Sequence, residues 1–431
     1  MTPAARLSAA IELLAAIETD ARRPADAVAH DFFRARRFIG GSDRRAVGER
    51  TWSVLRSHRR LAWWLTQAAA PATPRLMVAA SLLLQGWTLE GVTKSFSGGR
   101  FGPSALLPAE AASLRALEGH TLAHPEMPEA VRLEVPDWLL PLLAARFGAG
   151  LDAELAALAA PAPLDLRVNL LKATREQAQE SLAAEGVAAT PTPLSPWGLR
   201  VPGRRPVTAG RTFQQGLVEI QDEGSQLVAA LVGAGPDMRV ADCCAGAGGK
   251  TLALAMTMAN HGHIAACDVA AARLDGAVRR LRRAGVHNVE RHVVAAGDKW
   301  AKRRAGTFDR VLADVPCTGI GTWRRNPDAR RHLAPRDLAE LQARQAAILS
   351  DAARLVRNGG RLVYATCSML TEENEAQVQG FLAAHPEFAV LPLARAWALP
   401  TPPPGTGPFL VLTPRGHGTD GFFAAVLERA A

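Results

Sequence analysis

Two short strings carry side chains able to do covalent chemistry: Asp314-Val315-Pro316-Cys317 and Tyr364-Ala365-Thr366-Cys367-Ser368. Each sets a cysteine just past an apolar run that reads as the end of a buried strand, where an open α/β sheet keeps its ligands. A cysteine in such a place is more often an inert core residue than a nucleophile; here the flanks favour reactivity. Asp314 offers a carboxylate to an exocyclic amino group, Pro316 stiffens the turn, and Thr366 and Ser368 bring donors beside Cys367. Helix N-termini expected after both loops would lower the thiol pKa values. Paired thiols suit a pyrimidine, whose C5 is a poor nucleophile until a thiolate adds at C6 and turns the ring into an enamine.

A second constellation is Cys244-Ala245-Gly246-Ala247-Gly248-Gly249-Lys250-Thr251, between a strand ending at Asp242 and a helix. Glycines there let backbone N–H groups approach a ligand closely. A phosphate-binding P-loop would need glycine at 244, where the chain has Cys244. The turn therefore reads as a cofactor loop. Asp268 follows the next strand, where an acidic residue takes ribose hydroxyls. Asp298, after the third, is placed either to accept from an adenine amino group or to cap the helix that begins near Trp300.

These side chains need a sheet beneath them. From Met238 the chain alternates strands (239–242, 263–268, 289–294, 308–314, 361–366) with helices, and closes on a hairpin made by 409–412 and 422–427. The pattern predicts a doubly wound parallel sheet, α/β in class. One helix is expected over 335–357, ended by Asn358-Gly359-Gly360, and another over 372–385. Before it, a smaller α/β segment spans 136–232, with a strand at 164–169 and a helix at 174–185. Residues 1–125 read as all-helical, with Val47, Val54, Leu55, Leu61 and Leu65 at helical spacing.

The chain has 431 residues and a net charge of +9. Its length implies two or three domains, and its charge favours a polyanionic partner. Between residues 1 and 70 twelve arginines, Arg22 among them, face seven acids, and no lysine occurs. That excess suits phosphate oxygens or a solvated helix face. The five cysteines (243, 244, 267, 317, 367) show no zinc-ligand spacing, so neither disulfides nor a metal site is expected. Glu12, Glu18 and Asp20 interrupt any N-terminal apolar core, so a cytoplasmic protein without a membrane span is expected.

The strings 242–251, Asp314-Val315-Pro316-Cys317-Thr318-Gly319, 364–368 and Thr419-Asp420-Gly421-Phe422-Phe423, in that order, resemble RNA cytosine-C5 methyltransferases of the NOL/NOP/Sun group. Arg167-Val168-Asn169 and Gln221-Asp222-Glu223-Gly224-Ser225 extend the likeness over the last two thirds of the chain. Ser42-Asp43-Arg44-Arg45 and Leu55-Arg56 look like the NusB-type RNA-binding domain of bacterial members that act on 16S rRNA. The resemblance implies a Rossmann-like S-adenosylmethionine-dependent methyltransferase domain (233–431), preceded by a small RRM-like α/β segment (136–232) and an all-α NusB-like domain (1–125). It implies Cys367 as the nucleophile at C6, Cys317 as the residue assisting elimination, and Asp314 facing the base. Cys244, Ala245, Gly246, Ala247, Gly248, Gly249, Lys250, Asp268, Asp298 and Asp314 would surround S-adenosyl-L-methionine. The implied partner is RNA, 16S rRNA first, with tRNA or another rRNA as the alternative, and the implied state a monomer. A decayed, non-catalytic RNA-binding protein is the rival of another class. The family usually has Ala-Pro where this chain has Gly246-Ala247, a loss of fixed φ expected to weaken cofactor binding by about 0.4–1 kcal/mol. Trp323-Arg324-Arg325 is the candidate RNA-facing loop, against the alternative of a tryptophan that anchors a loop to the core.

Overall fold

A computed structural model of the chain describes residues 1–20, 23–203, 205–295 and 297–431. Arg22 and Ala296 lie outside the described residues. The chain forms two compact units, Met1–Ala159 with Trp323–Leu333, and Ala160–Thr322 with Ala334–Ala431.

The first unit is helical. Threonine caps start three of its helices, Thr2 accepting from the Ala5 N–H, Thr73 from the Leu76 N–H and Thr88 from the Gly91 N–H, the first two followed by proline at the first helical position. Val47, Val54, Leu55, Leu61 and Leu65, expected on one stripe, are all buried. Helices continue past residue 125, over Glu129–Arg132, Leu140–Phe147 and Leu151–Ala159. The segment Trp323–Leu333 belongs to this unit: Asp328 accepts the Ala25 N–H at 3.0 Å and Trp138 Nε1 donates to the Leu333 carbonyl at 3.3 Å. Trp323 is 1% exposed and Arg324 6%, with the Arg330 guanidinium 5.1 Å over the indole. An RNA-facing Trp323-Arg324-Arg325 is thereby corrected, because the ring is enclosed and the anchoring alternative holds.

The second unit contains two sheets. The smaller comprises β1 (Leu164–Val168), β2 (Thr190–Pro191), β3 (Gly198–Val201) and β4 (Val218–Ile220), ordered β2-β3-β1-β4 with every pairing antiparallel. Its helix, Arg175–Ala184, opens with the Thr174/Gln177 capping box. The larger sheet comprises β5 (Arg239–Asp242), β6 (His263–Asp268), β7 (Val289–Val293), β8 (Phe308–Asp314), β9 (Val356–Thr366), β10 (Phe388–Val390), β11 (Leu410–Leu412) and β12 (Phe422–Arg429). Its order is β10-β12-β9-β8-β5-β6-β7, with β11 paired to β12. β5 to β9 are parallel, while the tail strand β12 enters antiparallel between β9 and β10.

The central strands are apolar on both faces, as covered parallel strands must be. Val311, Ala313 and Tyr364 join one core, Leu312, Val363 and Ala365 the other. Chain order reverses at β5, which lies between β6 and β8, so the crevice at its carboxyl end is the topological switch point. One local expectation is corrected. The helix Pro335–Ala353 stops before Asn358-Gly359-Gly360, which lies inside β9, where pairing with β8 slips from Phe308↔Val356 to Arg310↔Arg361. Gly359 has φ 67°, and its freedom serves a bulge in a strand rather than a helix cap. Among the described residues no helix is long and apolar enough to cross a membrane.

Candidate active site

β5, β8 and β9 end level because backbone bonds run one residue past each strand: Cys243 N–H to Leu312 at 2.8 Å and Val315 N–H to Ala365 at 3.0 Å. On this ledge the sequence-predicted residues form two adjoining groups.

The first is the glycine turn. Gly246 and Gly248 have φ 54° and 78°, and Gly248 starts the helix Gly249–Thr257, where a Cβ would stand 3.2 Å from the Ala277 methyl. Asp268 accepts the Gly246 N–H and the Ala270 N–H, both at 2.8 Å, which ties the end of β6 to the turn. Asp242 accepts the Thr251 hydroxyl at 2.7 Å with Oδ2, while its buried Oδ1 has no partner among the described residues. Burial raises the Asp242 carboxyl to about 7; the Thr251 bond opposes this, and the charges of Asp314 and Asp268 add to it. Beneath the turn, Arg167 Nη1 donates to the Gly249 carbonyl at 2.9 Å, and burial lowers that guanidinium to about 10. The carboxyls of Asp242, Asp268 and Asp314 and an unpartnered buried oxygen lie by the glycine turn, where the exposed Arg273 guanidinium stands 3.6 Å from Asp268 and against Gly246; a cationic ligand that displaces it fits this set. Asp298 is engaged at the end of β7, accepting the Trp300 N–H at 2.8 Å with its other oxygen 2.5 Å from His292 Nε2.

The Asp242 carboxyl makes a pH dependence. Its folded pKa of about 7 lies above the ordinary 3.8, so in between the folded protein keeps a proton that the unfolded chain has lost. Stability from this group is complete below about pH 4 and is lost as pH rises through about 7. Asp242→Asn retains the bond to Thr251 without titrating. The variant is therefore expected to gain stability relative to the parent between those pH values, read as the difference in urea midpoints of the free protein. A pH-independent difference would contradict the raised pKa.

The second group is the thiol pair. Cys317 Sγ lies 3.4 Å from Cys367 Sγ. Hydrogen bonding to Cys367, then burial, pushes the Cys317 thiol up, and either sulfur can be the donor in the contact between them. The expectation that helix N-termini lower both thiols is corrected for Cys317. Each loop leads into a three-residue 3-10 turn, Ile320–Thr322 or Thr371–Glu373, too short to present a helix dipole. Burial pushes Cys244 and Cys267 up to about 12 and raises Cys243 well above its ordinary value, so these three stay thiols. Lys250 Nζ reaches Asp314 Oδ2 at 2.7 Å. Burial lowers the ammonium pKa, yet the charge and hydrogen bond of Asp314 outweigh it, so the Lys250 pKa rises.

Sequence reasoning missed the braces behind the thiols. Thr366 Oγ1 donates to Asn374 at 2.6 Å and Asn374 Nδ2 donates to the Ser368 carbonyl at 3.1 Å, so Thr366 and Ser368 hold the loop rather than serve Cys367 as donors. Glu373 accepts from Thr318 and from Gln345. The only signal was Glu372-Glu373-Asn374 soon after Cys367, at the start of the helix expected over 372–385; a 3-10 turn over Thr371–Glu373 comes first, with Glu373 buried. Gly421 N–H donates to Gly321 at 2.9 Å, and a Cβ on Gly321 would fall 2.2 Å from the Gly421 carbonyl oxygen. Thus the 419–423 string packs on the loop that comes after Cys317.

Residues 230–428 match a family described as 16S rRNA methyltransferase RsmB/F, and residues 135–208 match the ferredoxin-like domain of RsmF/B-like methyltransferases. A Xylella fastidiosa protein named ribosomal RNA small subunit methyltransferase B is 37% identical over 298 residues, 68% of each chain. The crystal structure of PH0851 superposes with a TM-score of 0.80 at 26% identity, covering 100% of this chain and 99% of that one. A methyltransferase homolog protein from Pyrococcus horikoshii superposes at 0.61 with 29% identity, covering 71% of this chain and 100% of the other.

Proposed function

The chain belongs to the 16S rRNA methyltransferase RsmB/F family, and on that premise we propose that it methylates C5 of a cytosine in 16S rRNA through a covalent bond between Cys367 and C6. S-adenosyl-L-methionine is the cofactor; when bound, it supplies an electrophilic methyl group on a positively charged sulfur. The observation that supports the chemistry best is the pair of sulfurs, Cys317 and Cys367, 3.4 Å apart at the ends of neighbouring strands.

The chain's own groups divide the work. Residues Cys244 to Lys250, with Asp268, Asp298 and Asp314, hold the cofactor. Asp314, steadied by Lys250, accepts from the cytosine amino group. Cys317 donates to the Cys367 thiolate, and a hydrogen bond to the charged form favours that form. Cys367 then adds to C6, and the electron pair of the C5–C6 double bond moves onto C5, the position to be methylated. Once Cys367 is a thioether, the charge that kept Cys317 protonated is gone, and Cys317 assists loss of the C5 proton and release of the enzyme. A stacked, paired cytosine hides C5 and C6, so the target is unpaired or flipped out. The arginine-rich helical unit, a NusB-like domain in this reading, supplies RNA contacts.

Radiolabelled methyl transfer tests this directly. With the full-length chain, 16S rRNA is expected to accept methyl groups at least about tenfold faster than tRNA, measured as kcat/KM. Mapping of 5-methylcytosine in rRNA from cells lacking the protein should show one position lost. Equal transfer to tRNA, or an unchanged rRNA map, would move the substrate elsewhere.

A further inference from the structure

We propose that Glu373 is a positioning residue for Cys317 and, through it, for release of the RNA product; the proposal rests on the role given to Cys317 above. The Glu373 side chain is fully buried. Its Oε1 accepts the Thr318 N–H at 2.8 Å and Gln345 Nε2 at 2.9 Å, and its Oε2 accepts the Thr318 hydroxyl. Gln345 Nε2 also donates to the Pro316 carbonyl at 3.0 Å. Thr318 and Pro316 are the two neighbours of Cys317 in the chain, so both sides of that cysteine are tied to one carboxylate. A buried carboxylate with this many donors is geometrically determined, and so is what it holds.

Cys367 hangs from other bonds. Its flanks are fixed by Asn374, through Thr366 and the Ser368 carbonyl; the two networks touch where Thr318 Oγ1 lies 3.2 Å from Ser368 Oγ and where the Gly321 N–H donates to the Cys367 carbonyl at 2.9 Å. Loosening Glu373 therefore moves Cys317 far more than Cys367. In the release step the C5 proton leaves to a base, the C5–H electron pair re-forms the C5–C6 double bond, and the C6–S pair returns to Cys367 as thiolate. Displacing Cys317 slows this elimination while addition and methylation proceed.

The test uses the full-length chain with labelled 16S rRNA and S-adenosyl-L-methionine, reading single-turnover methylation and the protein–RNA adduct that survives denaturant. For Glu373→Ala the adduct is expected to rise at least about tenfold, because a displacement of about 1 Å is costly in rate. Single-turnover methylation should fall by no more than the roughly tenfold expected for Cys317→Ala, since displacing Cys317 weakens the same bond to Cys367. Glu373→Gln, whose amide oxygen still accepts from Thr318 and Gln345, should be close to the parent. Thr318→Val, nearly isosteric and losing only the hydroxyl bonds, should accumulate adduct even if Glu373→Ala fails to fold. Cys317→Ala is the reference. If it traps adduct while folded Glu373→Ala and Thr318→Val lose methylation and adduct together, the positioning role is overturned. If Cys317→Ala itself traps nothing, the role of Cys317 fails and takes the proposal with it.

Discussion

Cys367→Ala is expected to abolish methyl transfer, lowering kcat/KM by at least about 10⁴-fold, as loss of a covalent nucleophile does elsewhere. Without the sulfur nothing adds at C6, and C5 stays too electron-poor to accept a methyl group. Cys317, half-buried as well and 3.4 Å away, hangs from the neighbouring loop and is not expected to take over addition at C6. Cys367 is half-buried and the loop is braced through Thr366, Ser368 and Asn374 rather than through its sulfur. The unfolding midpoint should therefore stay close to the parent's, which separates lost chemistry from lost structure. Labelled methyl incorporation into 16S rRNA measures the effect. Residual transfer above about 1% of the parent would be too much for a missing nucleophile.

Cys317→Ala should produce the opposite signature, a protein–RNA adduct stable in denaturant that contains the transferred methyl group. Steady-state turnover is expected to fall by about 10²- to 10⁴-fold, the range for losing a positioned proton-transfer group. The first turnover should slow less, by about tenfold, because the variant also removes the hydrogen bond that favours the Cys367 thiolate; one charge-assisted bond of about 1.5 kcal/mol corresponds to that factor. Denaturing gels of labelled RNA, with and without S-adenosyl-L-methionine, read both quantities. An adduct formed by Cys367→Ala instead would exchange the two roles.

Much of this site is legible in one dimension because strand ends in a doubly wound sheet are marked locally. Gly246 to Lys250 stand between a strand and a helix, Asp268 ends a strand, and Thr174 with Gln177 spells a capping box. Each such feature depends on neighbours in the chain. Where tertiary context decides, local signals misled. Gly359 has the positive φ of a helix terminator but serves a strand bulge. Trp323 sits beside arginines as an RNA-stacking residue would, yet its ring is enclosed under Arg330. The helix expected from Glu372 gave no sign of a brace, yet Glu373 is buried among donors that come from residues 318 and 345.

The sequence by itself determined the chemistry on offer: two cysteines at strand ends, a glycine turn with a lysine, and acids at the ends of successive strands. Their residue types and local spacing suffice for that. Only the tertiary structure decided how they work together. Residues 317 and 367 meet because β8 and β9 are hydrogen-bonded neighbours in a register that pairs Asp314 with Ala365. That the Cys317 thiol is raised, and which carboxyl is pushed toward neutrality, depend on distances and burial among groups far apart in the chain, because pKa shifts and hydrogen bonds are properties of such pairs in space.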